Sequence, residues 1–197
     1  HCAPQKINLI MGSIIANRCL PLLLCLSGVL LSTCARGAEP DSTLALFRAI
    51  DERLGYMEDV GLYKAKNEIP VEDLQRERIV LLDAKNLAAS QGLDPESMET
   101  FFIAQINAAK AIQYRYRAQL LSQEMPTRSV NLQADIRPAL DQLGSDIIRL
   151  FAALLSNDHL LNEQDRDLFL ATIAPNLLTD ADKQALYGAM LEVKLAR

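Results

Sequence analysis

From about residue 42 onward, apolar residues recur every three or four positions, and that period predicts helices rather than strands. The first segment runs from about Ser42 to Lys66, with Leu46, Ile50, Met57 and Val60 on one stripe and Leu54 beside it; Pro70 ends it. A second runs from about Val71 to Ser90, with Leu74, Leu81, Ala84, Leu87 and Ala88 inward. Gly92 supplies its stop. Asp94-Pro95-Glu96 then reads as an N-cap, a first-turn proline and an acidic first turn. The third helix continues to about Gln123 on a stripe of Phe102, Ile106, Ala109, Tyr116 and Leu120, and Pro126 breaks it. A fourth begins near Asp135, because Pro138 is tolerated only in a first turn, and runs to about Leu155. A shorter helix near Glu163–Ile173 and a last one after Thr179 complete the pattern. No strand-period segment, repeat or low-complexity tract interrupts it. The expectation is an all-α helical bundle: one long N-terminal helix, two further helices that complete a site, and a C-terminal helical extension.

Polar residues interrupt the apolar stripes at particular points. Leu46, Ile50, Arg53, Met57, Val60 and Lys64 step by three and four, so two cations lie on the stripe that faces the core. Eleven residues at 100° each bring Arg53 and Lys64 to within roughly 20° of one another. Gln113 sits likewise between Ala109 and Tyr116 on the third helix. The second helix opens with Asp73, Arg76, Glu77 and Arg78. Any one of these side chains could snorkel outward from a stripe edge. Burying several cations and an amide together is costly unless partners compensate, and only Asp73 and Glu77 are obvious partners within the pattern. A pocket for a multiply charged anion accounts for the group.

Composition narrows the setting. The chain is 197 residues long and half hydrophobic, which excludes a disordered chain, and its formal net charge of −5 with no basic run argues against nucleic-acid binding. Leu20–Leu31 is an uncharged apolar run preceded by Lys6 and Arg18 and followed by Thr33-Cys34-Ala35. That is the layout of a secretory signal, too short for a membrane span of about 20 residues. Residues 1–38 are therefore expected to be removed on export, with Met11 as a plausible true start; Leu31-Ser32-Thr33-Cys34 only loosely matches a lipoprotein cleavage site. The expected location is periplasmic or secreted, without stable membrane insertion after cleavage. The remainder carries 17 Lys and Arg against 25 Asp and Glu, and no cysteine if the cut follows Cys34. The linker 122–133 divides it into a three-helix region, 39–125, and a helical region, 126–197, packed on it.

At the anomalous residues the chain resembles the all-helical chorismate mutases. The spacing R-x10-K-x8-D-x2-RE, borne by Arg53, Lys64, Asp73, Arg76 and Glu77, is that family's, as are VGLYKAKNEIPVEDLQRER and FFIAQINAAKAIQ, which ends at Gln113. The resemblance spans about residues 44–120. A signal segment and a C-terminal helical extension are similar to the exported (gamma) subclass, in which one chain builds its own site. The resemblance implies the pericyclic rearrangement of chorismate to prephenate, with a small-molecule substrate and no metal, nucleophile, redox cofactor or proton transfer. It implies that Arg53 and Arg76 bind the carboxylates, that Lys64 and Gln113 donate to the ether oxygen, and that Asp73 and Glu77 meet the substrate hydroxyl and orient the arginines. A homodimer is an expectation that rests on the same resemblance alone, since the sequence itself does not reveal the oligomeric state.

Three positions depart from the pattern. Ala109 stands where relatives carry Ser or Thr. The best alignment of the fourth helix puts Asp146 where an arginine is expected, with Arg149 one turn later. A disulfide of some exported relatives has no cysteines to form it. Two other readings are an isochorismate pyruvate-lyase of the same fold and a non-catalytic helical module of the cell envelope.

Overall fold

Helix-forming sequence and well-placed stops give seven α-helices in the computed structural model, which describes residues 42–197. They are α1 (Ser42–Gly55), α2 (Met57–Lys66), α3 (Leu74–Ser90), α4 (Pro95–Leu120), α5 (Arg137–Ser156), α6 (Glu163–Thr172) and α7 (Asp180–Leu191). A π-helical turn, Leu132–Ile136, leads into α5, and no strand forms among the described residues. The segment read as an export signal lies outside the described residues.

The helix boundaries follow local chemistry. Gly92 ends α3 in the left-handed region, at φ +75°, which a residue without Cβ adopts cheaply. The Asp94 side chain accepts the Ser97 backbone N–H at 2.8 Å, and Pro95 opens α4 where its missing N–H costs nothing. Asn162 and Thr179 form capping boxes with Asp165 and Asp182. Pro138 lies in the first turn of α5, directly after the π turn.

Two expectations are refined. The segment 42–66 comes as two helices parted at Tyr56, not one. Tyr56 keeps right-handed helical angles (φ −70°, ψ −12°), and the N–H of Val60 still donates to its carbonyl at 3.0 Å. The interruption falls next to Gly55, one of two glycines in the stretch and a weak helix former. Leu74, expected inward, is 65% exposed at the open N-terminus of α3, while Val71 in the preceding loop is buried in its stead.

α5 packs on α1 and α3, α4 lies against α2, α3 and α7, and α6 lies against α1. One core joins them. Phe101 of α4 meets Phe151 of α5 edge-on at 5.0 Å, and Phe47 of α1 meets Phe169 of α6 at 5.2 Å, with Tyr187 of α7 on the same cluster. The C-terminal tail is stitched to the α3–α4 turn: the Asp94 N–H donates to the Lys194 carbonyl and the Ala196 N–H to the Gly92 carbonyl, each at 2.9 Å.

Candidate active site

The last turn of α1, the length of α2, the first turns of α3, the middle of α4 and the start of α5 enclose one cleft of about 700 Å³, open on one side to solvent. Arg53, Lys64, Asp73, Arg76, Glu77 and Gln113 all line it, so the six residues singled out by spacing converge on one place. Met57, Val60, Val71, Val80, Ile106 and Leu132 supply apolar walls.

Arg53 is buried at the floor. Its Nη1 donates to Gln105 Oε1 at 2.9 Å, its guanidinium lies 5.7 Å over the Phe102 ring, and its Nε has no partner. Burial pushes its pKa down to about 10, with the nearby Asp141 carboxylate opposing the shift. Lys64, also buried, donates from Nζ to the Val71 carbonyl at 2.5 Å. Burial lowers its pKa below the ordinary lysine value, and the charges of Asp73 and Glu77 offset part of that fall. Gln113 donates from Nε2 to the Ala109 carbonyl at 3.3 Å and touches Met57 Sδ at 3.7 Å; its Oε1 is buried without a partner.

Three ion pairs ring these groups. Arg76 donates to Asp141 of α5, Arg137 to Asp73 at 3.4 Å, and Lys110 to Glu77 at 3.2 Å. Five cationic and three anionic side chains therefore line the cleft, an excess of two positive charges. Among the described residues, Arg53 and Lys64 are the two lining cations without a carboxylate within ion-pair distance.

Three cleft residues, Lys110, Arg137 and Asp141, escape the sequence reading, as does Gln105, which supports Arg53 from behind the cleft wall. Gln105 is fully buried on the neighbouring stripe Phe101, Gln105, Ala108, Ile112, and a polar residue on so apolar a face is the same kind of signal that singled out Gln113. Lys110 lies three residues before Gln113. Arg137 and Asp141 start α5, whereas the alignment pointed two to three turns further on. Arg149 does not line the cleft; it is half exposed and pairs with Asp146 at 2.8 Å. Ala109 does line it, presenting a methyl group. Among the described residues, no group of three or more His, Cys, Asp or Glu is placed to hold a metal ion.

Comparison with known proteins agrees in sequence and in fold. A family model described as chorismate mutase type II matches residues 42–114. The chain is 42% identical over 146 residues to the secreted chorismate mutase of Yersinia pestis, covering 74% of this chain and 78% of that one. It is 31% identical over 150 residues to a monofunctional chorismate mutase of Enterobacter agglomerans, covering 76% and 82%. The crystal structure of the Yersinia pestis protein superposes with a TM-score of 0.71 at 39% identity, over 77% of this chain and 97% of the other. Chorismate mutase from Burkholderia phymatum superposes at 0.62 with 26% identity, over 79% and 98%.

Proposed function

Since the chain belongs to the type II chorismate mutase family and its activity is the isomerisation of chorismate to prephenate, we propose that the α1–α5 cleft is where that reaction runs and that the protein works after export. Export is supported by the signal-like pattern of residues 1–38 and by the relative described as secreted. In this reading residues 39–125 carry the catalytic helices, and 126–197 back them with α5 to α7.

The charge balance of the cleft carries the reading. A dianion neutralises an excess of two positive charges, and Arg53 and Lys64 stand buried with only neutral partners. Holding two such cations out of water costs several kcal/mol, which a bound dianion returns. The acidic exterior does not steer an anion inward, so the local excess has to.

Arg53 takes one substrate carboxylate. Arg76, with Arg137 beside it on α5, takes the other, because the guanidinium fork suits a carboxylate. The flexible enolpyruvyl arm is thereby folded over the ring, and the reacting carbons are held at near-attack distance. As the C–O bond breaks and the C–C bond forms, negative charge grows on the ether oxygen. Lys64 spends one N–H on Val71 and keeps two donors for that oxygen. Gln113 Nε2 exchanges its long sulfur contact for it. Both groups are fixed before the reaction, so charge stabilisation requires little reorganisation. Asp73 and Glu77, each tied to a cation, accept from the substrate hydroxyl. No proton is transferred, and none of these residues is asked to be a nucleophile.

Incubating the full chain separately with chorismate and with isochorismate tests the reading. Prephenate from chorismate is expected. Pyruvate release without prephenate would replace it with a lyase, and turnover of neither would leave a non-catalytic helical module.

A further inference from the structure

The cleft between α3 and α5 does not end at the substrate pocket. A second chamber, about 1020 Å³ and open to solvent, continues along the same two helices. It is floored by Phe102, Leu87 and Ile148 and edged by Asp83, Asn86 and Ser145. The two chambers share Arg53, Val80, Leu140 and Asp141 as a common wall. Arg76 belongs to the substrate side alone.

Arg76 is a long side chain, about a quarter exposed, rising from the first turn of α3 beside this opening. The Asp73 side chain accepts its backbone N–H at 3.0 Å, which fixes the backbone and leaves the guanidinium free to turn. The ion partner within reach of that guanidinium is Asp141, on the opposite helix, which accepts from Nη2. The contact engages one terminal nitrogen and leaves the other donors of the fork unspent.

We propose that Asp141 is a positioning residue: its carboxylate ties Arg76 across the α3–α5 cleft and keeps the guanidinium on the substrate side of the shared wall, away from the second chamber. This rests on the reading above, in which Arg76 binds a substrate carboxylate. Without the tie, Arg76 has the second chamber to swing into, and each binding event must order it again. Asp141 also faces Arg53, whose charged form it favours against burial. One acidic side chain thus holds one guanidinium in place and offsets part of the desolvation of the other. The cost falls on substrate binding, since the carboxylates are held both before and during the rearrangement.

The test is steady-state kinetics on chorismate with Asp141→Asn, which keeps the shape and removes the charge, and with Asp141→Glu. Thermal melting checks that both fold; a side chain that is 58% exposed leaves room for either. Asp141→Asn is expected to raise KM about tenfold with kcat within about threefold, as expected for lost uniform binding. Asp141→Glu should recover most of the loss. In an Arg76→Gln background, Asp141→Asn should add little to KM, because its partner is already gone. An unchanged or lower KM would overturn the proposal, the lower value meaning that Asp141 competes with substrate for Arg76. Failure of Asp141→Glu to rescue, or an undiminished effect in the Arg76→Gln background, would overturn it as well. An inactive wild type would defeat the functional reading and this inference together, whereas an active wild type with an indifferent Asp141→Asn defeats this inference alone.

Discussion

Lys64 and Arg53 sit where an apolar residue would serve the fold better, and each holds its proton against burial. Lys64→Ala is expected to lower turnover by about 10²–10³, the usual effect of deleting one preorganised donor, with the fold intact by circular dichroism. Lys64→Met should be equally inactive yet more stable by ~1 kcal/mol, about 2–4 °C in melting temperature, because it removes a desolvated charge and keeps the volume. A melting temperature below wild type would contradict this. The pH behaviour follows in two opposite directions. The folded lysine releases its proton below the ordinary value of 10.5, so over that alkaline window the unfolded chain binds more protons and the fold gains stability as pH rises. Activity needs the ammonium, so kcat/KM should fall through the same window, at lower pH than for an exposed lysine. In kcat the limb should lie higher, since a bound dianion holds the proton on. Gln113 does not titrate and adds no acid limb. These residues were legible because a charge on an apolar stripe is anomalous within a single helix. Gln105 obeys the same rule on a second buried stripe of α4, with Phe101, Ala108 and Ile112, next to the face that carries Gln113.

At the scale of elements, the distance between Lys64 and Gln113 depends on how closely α2 lies on α4. Gly61 sets it. A Cβ built there would meet Tyr116 Cδ1 at 3.4 Å and the Gln113 backbone at 3.5 Å, ordinary contact for one methyl and too tight for more. Gly61→Ala should therefore fold within ~1 kcal/mol of wild type, helped by helix propensity. Gly61→Val should lose about 1–3 kcal/mol by overpacking and should also lower turnover, since α2 must shift and carry Lys64 with it. Melting curves and kinetics on both variants decide the matter; a fully active, equally stable Gly61→Val would show that the contact has slack. Helix ends were the most readable elements, because caps, Pro95 and Gly92 act within a few residues of themselves. The parting of α1 from α2 was not readable, because Tyr56 stays in helical conformation and only the hydrogen-bond ladder records it.

Over the whole molecule, the helices that build the cleft depend on helices that do not touch it. α7 buries Leu186, Tyr187 and Met190; Tyr187 Oη donates to the Asn162 carbonyl at 2.7 Å, and Arg115 of α4 donates to Asp182 at 2.5 Å. Ending the chain after Thr179 would uncover Phe47 and Phe169 and forfeit three buried side chains at about 1.5–3 kcal/mol each. That loss rivals the whole stability of a typical domain, so the truncated chain should lack a cooperative thermal transition by far-UV circular dichroism. A truncated protein with wild-type melting would mean that α1 to α6 suffice.

Periodicity, caps and breakers act within one helix or across one turn. From them the residue order alone establishes an all-helical chain, where most helices begin and end, and that Arg53, Lys64 and Gln113 interrupt apolar stripes; that these meet Asp73, Arg76 and Glu77 at one place is implied only by the family resemblance. Partnerships are a different matter. Asp141 reaches Arg76 across 65 positions and Gln105 reaches Arg53 across 52. Those pairings depend on the rotation and depth at which α5 and α4 pack against α1 and α3, which no repeat inside a single helix encodes. Only the packed bundle decides that the start of α5, with Arg137 and Asp141, closes the cleft while Arg149 faces outward.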